Sequence, residues 1–214
     1  MPSRRQMVLS AAVAGLSLAG GGPLAAAQRV LTPRQTAGPF YPLELPLDSD
    51  NDLVQVQGRS TPAKGVVTHI FGRVITAEDK PVSGARVEIW QCDAEGRYHH
   101  PADRGGRADP NFQGFGAVET GAEAAYRFRT IRPMPYPGRT PHIHFAIRAP
   151  GMETLTTQMY VKGEPGNARD GLFNRIRDPE ARASVLVELR PAPEIEAAAL
   201  AGTFDIVVAH PDAS

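Results

Sequence analysis

From Val67 onward the chain breaks into short stretches of alternating or continuous apolar residues, each closed by glycine, proline or aspartate. Residues 67–75 and 85–91 read as strands, with Asp79-Lys80-Pro81 and Ser83-Gly84 as the turn signals between them. In residues 126–131, Tyr, Phe and Thr alternate with arginine, the period-two pattern of a strand with one buried face. Further strands are predicted over 142–148, 155–161, 184–190 and 203–209. Asp170–Arg177 reads as one or two helical turns. Glu194–Ala201 favours helix by composition, although a loop fits it too. So many short strands joined by Gly- and Pro-rich turns predict an all-β fold, an antiparallel β-sandwich of prealbumin-like type.

Upstream of the strands the pattern changes. Residues 28–65 are Pro- and Asp-rich and weakly periodic, and they predict an extended N-terminal arm lying over a domain of residues 66–214. Thr36-Ala37-Gly38-Pro39-Phe40-Tyr41-Pro42 is turn-like with aromatic anchors. The acidic stretch from Asp48 to Asp52 matches no complete calcium-loop signature and reads as a solvated turn. Residues 1–27 read as a targeting segment: Arg4-Arg5 precede an apolar run, and Ala25-Ala26-Ala27 suits cleavage before Gln28. The paired arginines resemble a twin-arginine export signal, with an ordinary secretory signal as the alternative. The apolar run is short for a membrane span. The expectation is an exported protein, periplasmic or extracellular, with no stable membrane insertion after cleavage.

Composition narrows the class. The chain has 214 residues, enough for one domain with its own core. Its 21 glycines and 20 prolines exceed the roughly 12% of an average protein and favour turns over a helical bundle. Acidic and basic residues number 23 each, so no basic stripe points to nucleic acid and no charge block to a disordered tail. Cys92 is the sole cysteine, which excludes an internal disulfide; a buried structural thiol is expected there.

Candidate chemistry gathers in the middle third, at Tyr98, Tyr136, His142 and His144. On a strand, His142 and His144 point to the same face and can converge on one point. Neutral imidazole is a common metal ligand. An isolated His-X-His is as often one core and one surface histidine, but no Cys pair or His-Glu-X-X-His motif competes for a metal here.

The run Gly84-Ala85-Arg86-Val87-Glu88-Ile89-Trp90-Gln91-Cys92-Asp93-Ala94-Glu95-Gly96-Arg97-Tyr98 continues the pattern. It is followed in order by Phe112-Gln113-Gly114-Phe115-Gly116, Thr130-Ile131-Arg132-Pro133, Tyr136-Pro137 and Pro141-His142-Ile143-His144-Phe145. Together these resemble the intradiol ring-cleavage dioxygenases, most of all the iron-bearing chains of the protocatechuate 3,4-dioxygenases. The resemblance covers about Thr36 to Tyr160 and implies a mononuclear Fe(III). It implies Tyr98, Tyr136, His142 and His144 as ligands, Tyr136 being the one that leaves when substrate binds. Arg139 would stabilise charge on a bound catecholate, and Gln158 would line the pocket. The implied partners are a catecholic small molecule and O2, with a homo-oligomer or a second chain left open.

Donor chemistry points the same way. Phenolates are hard anionic donors that favour Fe(III) over Fe(II) or Zn²⁺. Two of them with one hydroxide would neutralise a buried ferric charge. An Fe(II) site of two histidines and a carboxylate would need Glu153, which Pro150-Gly151 separates from the His pair. Taken singly, strand tyrosines are packing residues and Arg139 is a solvated charge. Two competitors stay open: a copper or Fe(II) protein using the His pair, and a prealbumin-like extracellular binding module without catalysis.

Overall fold

The computed structural model describes residues 28–46 and 48–209; the predicted export signal at residues 1–27 lies outside the described residues. The chain forms a β-sandwich. Its strands are β1 (Val67–Thr76), β2 (Arg86–Trp90), β3 (Phe115–Glu119), β4 (Ala125–Ile131), β5 (His142–Arg148), β6 (Leu155–Val161), β7 (Leu186–Val187), β8 (Arg190–Pro191), β9 (Leu200–Thr203) and β10 (Ile206–Val208). One sheet runs β3-β2-β5-β6-β7. In the other, β1 pairs with β4 along one edge, and with β9 and then β10 along the opposite edge. The long strands pair antiparallel as expected. The short C-terminal strands add parallel pairs, β1 with β9 and β10, and β6 with β7.

The inner faces supply the core. Ile70 and Phe128 from one sheet meet Val87, Ile89, Ile143, Phe145 and Ile147 from the other, all fully buried. Each such side chain contributes about 1.5–3 kcal/mol through removal from water. Strand β5 is buried on both faces. Its odd-numbered residues enter the core, while His142, His144 and Ala146 point to the opposite face. There Ala146 packs with Trp90, Cys92, Tyr98 and Phe115 in a second, smaller apolar cluster. That outer face carries the chemistry.

The arm joins the two sheets. Thr32 N donates to Val207 O on β10 (2.9 Å), and Gln35 N donates to Thr156 O on β6 (2.7 Å). Leu53 N then reaches Arg129 O on β4 (2.8 Å).

Several local expectations are corrected. Strand β3 was hidden by the glycines of Phe112-Gln-Gly-Phe-Gly, which mask alternation; antiparallel pairing with β2 makes it a strand. The strand predicted over 184–190 is reduced to β7 and the first residue of β8, and its first residue, Ser184, ends a helix, α1 (Pro179–Ser184). Asp178 caps it, accepting from Glu180 N (2.8 Å), and Pro179 opens the first turn. Glu194–Ala201 is not helical, because the Glu196 carboxylate is drawn onto the sheet by Arg129 (2.6 Å) and His69 (3.1 Å). The predicted strand 203–209 is split between β9 and β10. Of the helical turns expected over Asp170–Arg177, one 3-10 segment forms, Phe173–Arg175, and a second, Pro165–Arg169, lies just ahead of that range. Among the described residues no helix is long and apolar enough to cross a membrane.

Candidate metal centre

Strand pairing builds the floor of the site. His144 lies between Trp90 on β2 and Gln158 on β6, and His142 pairs with Tyr160. The indole of Trp90 stacks flat on His144, with centroids 4.8 Å apart and planes 8° apart. His142 Nδ1 lies 2.6 Å from Thr140 O. A carbonyl only accepts, so Nδ1 carries the proton and Nε2 presents its lone pair. That Nε2 is 3.2 Å from His144 Nε2. Burial lowers the His142 pKa to about 4, with help from the nearby Arg139 charge. His144 is held well below its ordinary value for the same first reason. Both imidazoles are therefore neutral, the form that binds metals.

The two phenols arrive on loops. Tyr98 ends the segment after β2, where Asp93 accepts from Glu95 N and Arg97 N and Asp103 accepts from Tyr98 N (2.7 Å). Tyr136 opens a tight turn with Pro137 and Gly138. Arg139 N donates to Tyr136 O (2.9 Å), and Gly138 has φ +82°. Proline then glycine at positive φ is the type II turn that this sequence demands. The rings form a chain of contacts: Tyr98 to Tyr136 at 5.6 Å, Tyr136 to His142 at 5.4 Å and His142 to His144 at 4.8 Å. Among the described residues, the Tyr98 hydroxyl is buried without a hydrogen-bond partner. Burial and the neighbouring Tyr136 hold its pKa well above the ordinary phenol value. Tyr136 is raised by burial too, but Arg139 opposes the shift.

Arg139 differs from the solvated charge that its sequence context suggests. Its side chain is 12% exposed and its Nε donates to Asp170 Oδ2 at 2.9 Å. Its other nitrogens reach the Tyr136 hydroxyl (3.4 Å), the Tyr160 hydroxyl (3.5 Å) and Gln158 Oε1. Asp170, fully buried, also accepts from Thr140 N, Leu172 N and Phe173 N. Gln158 Nε2 in turn donates to Thr36 O on the arm (3.0 Å). The structure thus brings together Tyr98, Tyr136, Arg139, His142, His144 and Gln158. Two histidines follow Tyr98 in the chain: His99 Nε2 bonds Asp109 O (2.8 Å), and His100 Nδ1 accepts from Ala102 N (3.1 Å).

The donor set fits a hard trivalent cation. Two neutral imidazole nitrogens converge beside a buried phenol that lacks a partner, and a cation would supply that partner while lowering the phenol pKa. Among the described residues no three His, Cys, Asp or Glu side chains cluster, so the two-histidine, one-carboxylate arrangement of Fe(II) oxygenases is not built there. Sequence reasoning missed Asp170, Tyr160 and Trp90 as parts of the site. Trp90 had a signal, since it stands in the same motif run as Tyr98; Asp170 had none.

Comparison with known proteins places these residues in context. A family model described as "Dioxygenase" matches residues 36–210. The chain is 37% identical over 191 residues to the protocatechuate 3,4-dioxygenase beta chain of Burkholderia cepacia, covering 85% of this chain and 80% of that one. It is 36% identical over 129 residues to 6-chlorohydroxyquinol 1,2-dioxygenase of Cupriavidus pinatubonensis, but spans only 45% of that protein's length. Among solved structures, the dioxygenase domain of a dioxygenase–carbohydrate-binding protein fusion from Streptomyces sp. SirexAA-E superposes with TM-score 0.66 at 34% identity. The match covers 84% of this chain and 99% of that domain.

Proposed function

We infer that this chain, which belongs to the intradiol ring-cleavage dioxygenase family, opens a catecholic ring between its two hydroxyl-bearing carbons to give a muconate-type dicarboxylate. Tyr98, Tyr136, His142 and His144 would hold Fe(III). The observation that carries this reading is the convergence of two imidazole Nε2 atoms, 3.2 Å apart, beside the Tyr98 hydroxyl, which is buried without a partner among the described residues. When bound, ferric iron supplies Lewis-acid activation of a catecholate toward O2.

The chain's own groups do the rest. Tyr136, the partly exposed one of the two phenols, would give up its position and accept a catechol proton. The Arg139 guanidinium is always charged and is fixed by Asp170 and Gln158. It would stabilise negative charge building on the ring during O2 attack. Gln158, anchored on both Arg139 and Thr36, would line the pocket without titrating.

Protocatechuate is the substrate favoured by the likeness to the Burkholderia chain. A second reading, a hydroxyquinol, is favoured by the likeness to the Cupriavidus chain. The export signal expected at Arg4-Arg5 would place the reaction outside the cytoplasm. Metal analysis of the purified chain and O2 uptake with protocatechuate, catechol and hydroxyquinol test the proposal. Ferric iron with a red-brown phenolate colour and uptake on at least one ring supports it. A different metal, or no uptake with iron bound, refutes it.

A further inference from the structure

The segment from Thr36 to Pro42 lies against Gln158, His144, Tyr98, Tyr136 and Trp90. Thr36 O accepts from Gln158 Nε2 (3.0 Å). Gly38 passes so close to His144 that a Cβ on it would stand 3.4 Å from the imidazole Cε1, and its φ of +68° already favours glycine. The Phe40 ring stacks on Tyr98 at 4.5 Å and meets Tyr136 edge-on at 6.0 Å. Tyr41 stands edge-on against Trp90 at 5.0 Å, and Trp90 is the indole stacked on His144. Yet the backbone of this roof is tied down only at its margins. Among the described residues, the last backbone bond to a sheet before it is Gln35 N to Thr156 O, and the next after it is Ala117 N to Ser49 O (2.9 Å).

Side chains must therefore hold the roof, and one contact is built for that. Glu88 projects from β2 on the same face as Trp90, two residues along. Its side chain is 3% exposed and takes Arg86 Nε at 2.9 Å and Arg148 Nη1 from the paired strand β5. The two arginines keep the carboxylate ionised despite its burial. Its third partner is the Tyr41 hydroxyl, at 3.0 Å. A charged acceptor makes this bond about twice as strong as a neutral one, and it fixes the ring that presses on Trp90.

We propose that Tyr41 and Glu88 are positioning residues: their hydrogen bond latches Thr36–Pro42 down as the roof of the catechol pocket and so sets how firmly substrate is held. This rests on the pocket being the substrate site, as inferred above. Neither residue touches the reacting atoms. Tyr41 acts through Trp90 and through its neighbour Phe40, and Glu88 acts through Tyr41.

Trp90 is the chain's only tryptophan and is 1% exposed, so its fluorescence reports the roof directly. Tyr41→Phe keeps the ring and removes one hydroxyl at a partly exposed position, so the fold is retained. Losing one hydrogen bond to a charged partner should raise the open fraction about tenfold, seen as increased acrylamide quenching of Trp90 in the full chain. With the substrate that the parent turns over, KM should rise about fivefold or more while kcat stays within about twofold, the signature of lost binding without lost chemistry. Glu88→Gln should raise quenching in the same direction; if it fails to fold, Tyr41→Phe still decides. Unchanged quenching overturns the latch. Raised quenching with unchanged KM overturns the positioning role and leaves a packing contact. Should the parent turn over no catechol at all, the functional reading fails, and the quenching of Tyr41→Phe still decides whether the latch exists.

Discussion

Replacing Asp170 by asparagine would take the counter-charge from beneath Arg139 while leaving the size of the side chain unchanged. Asp170 is fully buried and accepts four hydrogen bonds: Arg139 Nε and Thr140 N on Oδ2, Leu172 N and Phe173 N on Oδ1. An asparagine can keep Oδ1 on Leu172 and Phe173. Its amide nitrogen would then face Arg139 Nε and Thr140 N, donor against donor. Breaking a buried ion pair costs about 3–5 kcal/mol. Arg139 retains Gln158 and some exposure to water, which favours the lower figure. About 3 kcal/mol corresponds to a fall in Tm of roughly 6–12 °C for a chain of this size. A guanidinium freed from its anchor should also lower kcat by about 10², as removal of a preorganised charge partner does.

Arg139→Leu is the companion variant. It removes the guanidinium but leaves Asp170 its three backbone donors, so it should cost less stability than Asp170→Asn and lower kcat by about 10²–10³. Both variants should retain iron, since neither residue is a ligand. Thermal melts, metal content and O2 uptake on the two proteins check this. If Asp170→Asn melts within about 2 °C of the parent with unchanged kcat, the salt bridge does not hold Arg139 and its anchoring role is refuted. Loss of iron from either variant would mean that the pair holds the ligand loop.

Further expectations concern the phenols, the outer ion cluster and export. Tyr98→Phe and Tyr136→Phe should each change the visible charge-transfer band of the iron-loaded chain, and Tyr136→Phe should slow catechol binding more than it weakens metal retention; native spectra in both would make the phenols packing residues. The hydrogen bond from Arg129 holds the Glu196 carboxyl down, from 4.5 to about 2, so its contribution is complete above pH 4.5 and is lost as pH falls toward 2. The Glu196 side chain is 31% exposed, so screening limits that contribution to about 1 kcal/mol. Urea midpoints of Glu196→Gln should therefore lie below the parent's at pH 7 and approach them on acidification, and a gap that stays constant would exclude the linkage. Replacing Arg4 and Arg5 by lysine should trap the precursor in the cytoplasm, whereas unchanged export would rule out the twin-arginine route.

The features legible in the sequence are those governed by neighbours a few residues apart. Alternation marked β4 because a strand's two faces see different surroundings, and short apolar stretches between Gly- and Pro-rich turns marked β1, β5 and β6. Tyr136-Pro137-Gly138-Arg139 specified its own turn because proline fixes φ and glycine tolerates the positive φ that follows. His142-Ile143-His144 put two imidazoles on one face for the same reason of period. What only the tertiary structure decided depends on partners far along the chain. Whether Arg139 is a surface charge or a buried anchor turns on Asp170, 31 residues later. Whether Phe115–Glu119 is a strand turns on pairing with β2, since its glycines carry no pattern of their own. The segment Glu194–Ala201 has the composition of a helix but gives it up to reach Arg129. The roof over the candidate site is held by a contact between Tyr41 and Glu88, 47 residues apart. Local propensities of a few tenths of a kcal/mol per residue are outweighed by one buried charge that must find its counter-charge, and where that partner lies is settled only when the sandwich closes.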